Sequence, residues 1–250
     1  MPASGDAKVV AVPSAQAVFT LQSDGVLGVL EHLSVRADAP TASTWQVTMQ
    51  RGELFAQPSL VVDERRYRPG DGRQAGTFRI SRGTRGIRFD WREPDGVHSV
   101  RLGYRLALFG TAYTDVVDLR VPVWERAWPV PVHRLTAALN LPRVPRGRVI
   151  VWVEPRTEGT IVATSRRQIR VRAREVEADT PLTLRAVLPR NVLSSVDGVN
   201  VKEKPGLAAI LAERDGGDRR WWPWALAAGV VLAVSAVALR TARLRLPRRR

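Results

Sequence analysis

Few side chains in this 250-residue chain have the types and spacing that catalysis or metal binding requires. The histidines His32, His98 and His133 are scattered, without the i, i+4 or three-to-five-residue spacing of a metal site. The chain has no cysteine, which excludes thiolate zinc sites, cysteine nucleophiles and disulfides. It also lacks a G-x-S-x-G nucleophile elbow, and it has no S-x-x-K pair accompanied by the partner motifs of that catalytic site. We therefore predict no catalytic residue, no metal site and no cofactor.

Two groups of carboxylates are the remaining candidates for acid–base chemistry. Asp115 and Asp118 follow a turn, and Glu175, Glu177 and Asp179 alternate at a strand end. Glycoside hydrolysis requires two carboxylates at a defined separation across a cleft. We interpret these residues as solvated edge charges. An envelope enzyme acting on glycan or peptide remains the alternative, and converging carboxylates or a histidine beside a hydroxyl would favour it.

An arginine row is the best candidate for a binding surface. In "RRQIRVRAREV" the side chains of Arg170, Arg172 and Arg174 project from one face of a strand, about 7 Å apart. Such a stripe could contact lipid phosphates or teichoic-type anions, or it could discourage pairing at a sheet edge. We predict a possible anionic-surface contact at these three arginines.

The formal net charge of +15 is compatible with anionic lipid, cell-wall polymer or nucleic acid as a partner. Arginine codons of a GC-rich genome are the simpler explanation, because only three of the 39 basic residues are lysines. The aromatic–basic motifs of nucleic-acid-binding modules are absent, so no nucleic-acid partner is expected.

Alternating apolar and polar residues predict the strands that position these groups. The clearest runs are "SVRLGYRLAL", "GIRFDWRE", "VVDLRVPV" and "QIRVRAREV", and Asp24-Gly25 marks a hairpin turn. Many short strands separated by turns indicate an all-β, antiparallel β-sandwich over residues 17–200, with a subdivision near 142–148. Residues 201–220 read as a linker with one short helix.

The C-terminal end has the pattern of a membrane anchor. Residues 221–239 carry no charge and would span about 28 Å as a helix. Trp221, Trp222 and Trp224 stand at one interface, and Arg240 and Arg243 begin a basic tail at the other. The excess of arginine in the tail, residues 240–250, predicts a single-pass plasma-membrane protein with a cytoplasmic C-terminus and an extracytoplasmic body.

An exported body requires a signal, and residues 1–16 make a poor or truncated one. The apolar run Val9–Val12 is shorter than a signal-peptide core. Two explanations stay open: a signal encoded upstream, which we favour, or a body that stays inside with the helix inserted as a tail anchor.

Three segments, which begin at Val18, Val100 and Thr180, follow one another along the chain. Their residues and order resemble those of the bacterial predicted membrane proteins of domain of unknown function 2207 (DUF2207). "VFTLQSDGVLGVLEHLSV", with Asp24, Gly25 and Glu31, is similar to the family's opening hairpin. "VRLGYRLALFGTAYTDVVDLRVPVWERAWPVPVHRLTAALNLP" resembles its signature. "TPLTLRAVLPRNVL" is similar to its closing strand. The matched signature positions are Tyr104, Tyr113, Asp115, Trp124, Trp128, Pro131 and Pro142. The resemblance, over about residues 17–195, implies an extracytoplasmic β domain on a membrane anchor and implies no activity.

These observations together predict a non-enzymatic, membrane-anchored interaction or envelope-scaffold module. Its expected partners are the bilayer, through the C-terminal helix, and other envelope proteins or anionic polymers.

Overall fold

Strands of alternating apolar and polar residues form three β-sheets in the computed structural model of the chain. The structure describes residues 9–39, 41–49, 52–83, 86–93, 95–124, 130–155, 159–165 and 167–217. The chain divides into two compact units, Met1–Pro205 and Gly206–Arg250. All three sheets belong to the first unit, and strands are numbered along the chain.

The largest sheet has eight strands. In spatial order they are β14 (Thr160–Thr164), β15 (Gln168–Val176), β12 (Val132–Asn140), β1 (Val9–Leu21), β2 (Leu27–Ala37), β9 (Gly96–Ala107), β4 (Leu54–Val62) and β5 (Arg65–Arg66). Strands from both sides of residues 142–148 therefore lie in this one sheet.

The other two sheets are smaller. The five-stranded sheet has the order β13 (Ile150–Glu154), β16 (Leu182–Pro189), β11 (Val116–Trp124), β10 (Thr111–Ala112) and β17 (Asn200–Val201). The four-stranded sheet has the order β3 (Thr41–Thr48), β8 (Gly86–Glu93), β7 (Thr77–Gly83) and β6 (Arg68–Pro69). A 3-10 turn, Arg190–Val192, follows β16.

The predicted alternation is confirmed in the strands that carried it. Along β9, Val100, Leu102, Tyr104 and Leu106 are buried, whereas Leu108 lies beyond the strand end with a positive φ. The apolar residues predicted to share a face in β8, β11 and β15 are buried in the same way: Ile87, Phe89, Trp91, Val117, Leu119, Val121, Val123, Ile169, Val171 and Ala173. A slip of one residue would turn each set to solvent, which fixes the register.

The sheets are mixed, which corrects the prediction of a purely antiparallel arrangement. β1 pairs with β2 through the predicted hairpin but with β12 in parallel, from Val12↔Val132 to Thr20↔Asn140. β6–β7 and β10–β17 are also parallel pairs. Hairpin signals reveal only neighbours in sequence, and period-two alternation is the same for both pairing directions. The sequence therefore had no signal for this pairing.

β1 begins at Val9, before the predicted domain start at residue 17. Val12 and Ala15 are buried, so the short apolar run near the N-terminus belongs to the sheet. A register shift between Ala11 and Ser14 interrupts the period-two pattern. This shift explains why alternation did not predict a strand there.

One hydrophobic core is shared by residues of all three sheets. Phe55 of β4 meets Phe89 of β8 edge-on, with ring centroids 5.8 Å apart. Trp45 of β3 meets Trp124 of β11 edge-on at 5.6 Å. Edge-to-face aromatic pairs add about 0.5–1.5 kcal/mol to the burial of their area. These pairs join the four-stranded sheet to each of the other two.

Residues outside the first hairpin form hydrogen bonds that stabilise its Asp24-Gly25 turn. Gly25 has φ +92°, which an L side chain rarely adopts, and Asp24 Oδ1 accepts a hydrogen bond from the backbone of Val26. The backbone N–H groups of Ser194 and Ser195 donate to the carbonyl of Ser23. The segment after β16 thus ties the first hairpin to the end of the β domain.

The second unit contains α1 (Leu207–Gly217), in the segment predicted to hold a short helix. Within the part of the chain that the structure describes, no helix is long and apolar enough to cross a membrane. The predicted span at residues 221–239 and the tail lie outside the described residues.

Candidate anion-binding face

Six exposed arginines occupy the outward face of the eight-stranded sheet, on strands β15, β12 and β9. We call this surface the basic face; its arginines are Arg101, Arg105, Arg134, Arg170, Arg172 and Arg174. The predicted exposure of Arg170, Arg172 and Arg174 is confirmed, because Ile169, Val171 and Ala173 turn inward between them. Register places Arg174 beside Arg134 on the neighbouring strand.

One register row crosses the whole sheet without a carboxylate. Its members are Thr160, Arg172, Thr136, Gln16, His32, Arg101, Val61 and Arg66. The next two outward-facing rows on one side, which include Arg170 and Arg105, also contain no acidic residue. The row on the other side passes through Ser34 and Ser99 and reaches Asp63 just beyond the end of β4. Among the residues that the structure describes, none of the six arginines forms an ion pair. The face therefore has a positive charge that internal partners leave uncompensated.

A depression of about 320 Å³ opens on the same face, over β1, β2, β9 and β4. Its lining includes Gly28 and Gly103, which carry no side chain, and the charged side chain of Arg105. Ser59 and Gln57 line it from β4, where a bulge gives Gln57 a φ of +51°. This depression was not predicted from the sequence, although glycine inside two predicted strands was a signal for it.

A buried ion pair occupies the five-stranded sheet. Arg185, 2% exposed, donates two hydrogen bonds to Asp118, at 3.1 and 3.0 Å. Its guanidinium lies 5.1 Å from the ring centroid of Trp152, and Trp152 donates to Glu154 at 2.7 Å. This planar, two-pronged geometry suits arginine and gives the pair a positioning role. Asp118 is thus a partner of a structural arginine.

The carboxylates proposed for acid–base chemistry do not form a single group. Asp118 lies in the five-stranded sheet, and the backbone carbonyl of Asp115 accepts from Arg190 at 3.1 Å. Glu175 lies at the end of β15 in the eight-stranded sheet and pairs with His133 at 2.9 Å. Glu177 and Asp179 follow just after that strand. The two proposed groups therefore belong to different sheets.

Two histidines meet partners where β2, β4 and β9 run side by side. The Asp63 carboxylate accepts from Nδ1 of His98 at 2.6 Å and from the backbone N–H of Ser99 at 2.9 Å. Burial opposes the ionisation of Asp63, but these hydrogen bonds outweigh it and hold the pKa of that carboxyl below its ordinary value. On the outward face, Ser99 Oγ and His32 Nε2 share a hydrogen bond of 2.8 Å.

A second carboxyl with a lowered pKa lies in the loop before β7. The backbone N–H groups of Arg73 and Gln74 donate to Asp71, which favours its ionised form. The described residues contain no group of histidines and carboxylates able to hold a metal ion.

The structure brings two residues of the family pattern together in the core. Tyr104 donates to Glu31 at 2.8 Å, although the two residues are far apart in the sequence. Glu31 is 5% exposed, and Tyr104 stacks on Phe55 at 5.5 Å. Trp124 packs on Trp45, and Lys202 lies over the ring of Tyr113. These positions therefore hold the β domain together.

The other positions singled out in the sequence lie apart from the basic face or outside the described residues. Pro142 accepts a hydrogen bond from Arg167 through its carbonyl, and Pro131 is exposed. Trp128 and the predicted interface residues lie outside the described residues: Trp221, Trp222, Trp224, Arg240 and Arg243.

Two solved structures that resemble the chain are described as peptidase or binding proteins. A candidate nutrient binding protein from Legionella pneumophila is 8% identical, with a TM-score of 0.44, over 70% of this chain and 66% of that one. An M1 zinc metallopeptidase from Deinococcus radiodurans is 9% identical, with a TM-score of 0.40, over 71% and 42%. The chain thus spans less than two thirds of either protein.

No curated protein matches the chain. The family model described as "Predicted membrane protein (DUF2207) N-terminal domain" matches residues 11–188. That range begins within β1 and ends within β16, so it contains nearly the whole of the largest sheet. The chain therefore belongs to the DUF2207 family of predicted membrane proteins.

Proposed function

We propose that this protein is a non-enzymatic binding module of the cell envelope that holds an anionic polymer on its basic face. The three sheets would form a β-sandwich body outside the plasma membrane, anchored by a helix over residues 221–239. The family description and the uncharged 19-residue stretch support the membrane anchor. The bilayer and the polymer are its proposed partners, and no cofactor takes part.

The observation that carries this proposal is the carboxylate-free arrangement of the arginines. On the four-stranded sheet, by contrast, Asp90 pairs with both Arg79 and Arg88. On the basic face, Thr136, Gln16 and His32 lie between Arg172 and Arg101 in one register row and offer hydrogen-bonding side chains. An extended anionic chain lying across the strands would meet both charge and hydrogen-bond partners at intervals of about 4.8 Å.

A binding measurement tests the proposal directly. The full chain in a non-ionic detergent is titrated with poly(glycerol phosphate), and the triple variant Arg170→Ser, Arg172→Ser, Arg174→Ser is compared with it. At about 1 kcal/mol for each arginine near an anionic surface, we expect roughly 100-fold weaker binding. The matched control replaces Arg68, Arg79 and Arg82 of the four-stranded sheet by serine.

Equal loss in both triple variants would reduce the effect to net charge and overturn the proposal. Binding of the wild-type chain to vesicles of anionic lipid, with none to the polymer, would instead make the bilayer surface the partner. Rising salt should weaken specific binding to the polymer, because exposed charges are screened.

The location of the body is tested by cysteine labelling, since the chain has no cysteine of its own. Thr164→Cys lies on the exposed edge strand β14, and Ala173→Cys, which is buried on β15, is the matched control. A membrane-impermeant thiol reagent should label position 164 in intact cells and leave position 173 unlabelled. Labelling of position 164 only after permeabilisation would place the body in the cytoplasm.

One observation favours a second function, hydrolysis by a serine nucleophile. The 2.8 Å contact between Ser99 and His32 is the contact that a nucleophile makes with its general base. The nearby carboxylate, Asp63, orients His98 rather than His32. Labelling of the chain by a fluorophosphonate probe, lost in both Ser99→Ala and His32→Gln, would establish this activity and displace the binding module as the primary function.

A further inference from the structure

We propose that the depression over Gly28 and Gly103 is a subsite for one hydroxyl-bearing unit of the anionic polymer, with a carboxylate or a phosphate as its acidic group. The inference rests on the proposed function, because the subsite belongs to the same face. It adds that the face recognises the chemistry of an individual unit in addition to the charge of the polymer.

The fold does not require glycine at position 28, which supports a role for Gly28 in the subsite. The backbone there is not left-handed, and a Cβ would meet only Thr20, at an ordinary distance of 3.7 Å. Glycine weakens the interior of a strand, where it often marks the close approach of a ligand. At Gly103 a Cβ would come within 2.6 Å of Ser59 Oγ, the movable end of a side chain. The two glycines lie on adjacent strands, offset from each other in the register.

An irregularity in the backbone of β4, which lines the depression, also supports the subsite. The register with β9 shifts between Ala56 and Ser59, and Gln57 within this bulge has a φ of +51°. Bulges re-aim side chains and occur next to functional sites. The bulge gives the depression a polar wall that a regular strand would not provide.

The lining of the depression offers a positive charge, hydrogen-bonding groups and an apolar surface. Arg105 supplies a fixed positive charge, and Thr20, Gln22 and Ser59 supply hydroxyl and amide groups. Leu30, which is 51% exposed, supplies an apolar surface for the C–H groups of a ring. The volume of about 320 Å³ is at the lower end of the range of about 300–1,000 Å³ for small-molecule pockets, which suits a single unit.

The depression lies on the same sheet face as the arginines of β15, within reach of one bound chain. The strand order places β15 four interstrand spacings from β9, about 19 Å across the sheet. A chain of several units held at one end in the depression would therefore reach Arg170 and Arg172. The ligand that fits both features is an oligomer of acidic, hydroxyl-bearing units.

The test uses isothermal titration of the full chain in a non-ionic detergent with four defined probes. Oligogalacturonate and poly(glycerol phosphate) carry acid and hydroxyl groups, inorganic polyphosphate carries acid alone, and maltohexaose carries hydroxyls alone. Gly28→Val fills the depression with a residue that favours strands, and Arg105→Gln removes the charge. The matched controls are Gly83→Val and Arg68→Gln, both on the four-stranded sheet.

We expect at least one of the two acid- and hydroxyl-bearing polymers to bind more tightly than polyphosphate and maltohexaose. Gly28→Val and Arg105→Gln should each weaken that binding at least tenfold, with the controls within twofold of wild type. Preference for either polymer supports the subsite and identifies its acidic group. Circular dichroism confirms that Gly28→Val is folded, and Arg105→Gln repeats the test without filling the depression.

Wild-type affinity in both folded variants would overturn the subsite. If the triple serine variant on β15 then loses binding, the proposed function stands without it. Equal affinity for inorganic polyphosphate would also overturn the subsite, because the face would respond to charge alone. Absence of binding to every acidic polymer would overturn the proposed function and the subsite together.

Discussion

The basic face and the five-stranded sheet use arginine in opposite ways. Arg185 is almost wholly buried, with two nitrogens on Asp118 and its guanidinium near Trp152. Arg172 is exposed and lies between two threonines, Thr160 and Thr136, on the neighbouring strands. A buried arginine with an acid partner serves the structure, and an exposed one without an acid is available to a ligand. The surroundings of each arginine therefore indicate its role, and the total charge of the chain does not.

Breaking the buried pair should have the largest effect. Asp118→Ala leaves the guanidinium of Arg185 buried without its carboxylate and should lower the free energy of unfolding by about 3–5 kcal/mol. Urea unfolding followed by tryptophan fluorescence measures the loss. The double variant Asp118→Leu, Arg185→Met should recover most of it. A single variant as stable as the wild type would show that the pair has no structural role.

An intermediate loss is expected from the core hydrogen bond between the two family-pattern residues. Tyr104→Phe keeps the aromatic packing on Phe55 but removes the donor to Glu31, at a cost of about 1–3 kcal/mol. The control Tyr113→Phe alters an aromatic ring outside this contact. Equal stability of the two variants would mean that the 2.8 Å bond adds nothing to the aromatic stack.

The Asp63–His98 contact should give a smaller effect that depends on pH. The folded-state pKa of Asp63 lies below its ordinary value of 3.8, so its contribution is present above about pH 4 and disappears as the pH falls through the folded value. Asp63→Asn should cost no more than about 1 kcal/mol at pH 7, because the side chain is half-exposed. The difference from wild type should shrink below about pH 4. A difference that stays constant through strongly acidic pH would contradict the assignment.

The smallest effect on stability should come from the arginines of the basic face. Replacing any one of Arg170, Arg172 and Arg174 by serine should change the unfolding free energy by no more than about 0.5 kcal/mol. Thermal unfolding of the variant, at low and high salt, measures this directly. A loss comparable to that of Asp118→Ala would show that these arginines serve the fold and would remove the contrast between the two regions.

The inward and outward positions of most strands could be predicted because alternation directly encodes a half-buried strand. Arg185 shows the limit of that rule, since its neighbours Leu184 and Ala186 predict an outward, solvated arginine and the side chain is buried. The arginines of β15 were found because they repeat within one strand. Arg134, Arg101 and Arg105 join them only through the order of strands in the sheet, which alternation does not encode. The depression was not predicted because it forms only where Gly28 and Gly103 come together on adjacent strands, and the order of strands is not encoded in the alternation.

The parallel pairing of β1 with β12 has a consequence for how the protein is made. β1 is complete at Leu21, but the strand that covers its second edge begins at Val132. At about 5–20 residues per second, synthesis of the intervening segment takes roughly 5–20 s, whereas a hairpin forms within about 10 μs. In the nascent chain, the edge of β1 that later pairs with β12 therefore stays unpaired for many seconds. Other nascent chains can form backbone hydrogen bonds with that edge. A holding chaperone that shields this strand until residue 140 emerges would be most needed at that stage of biogenesis.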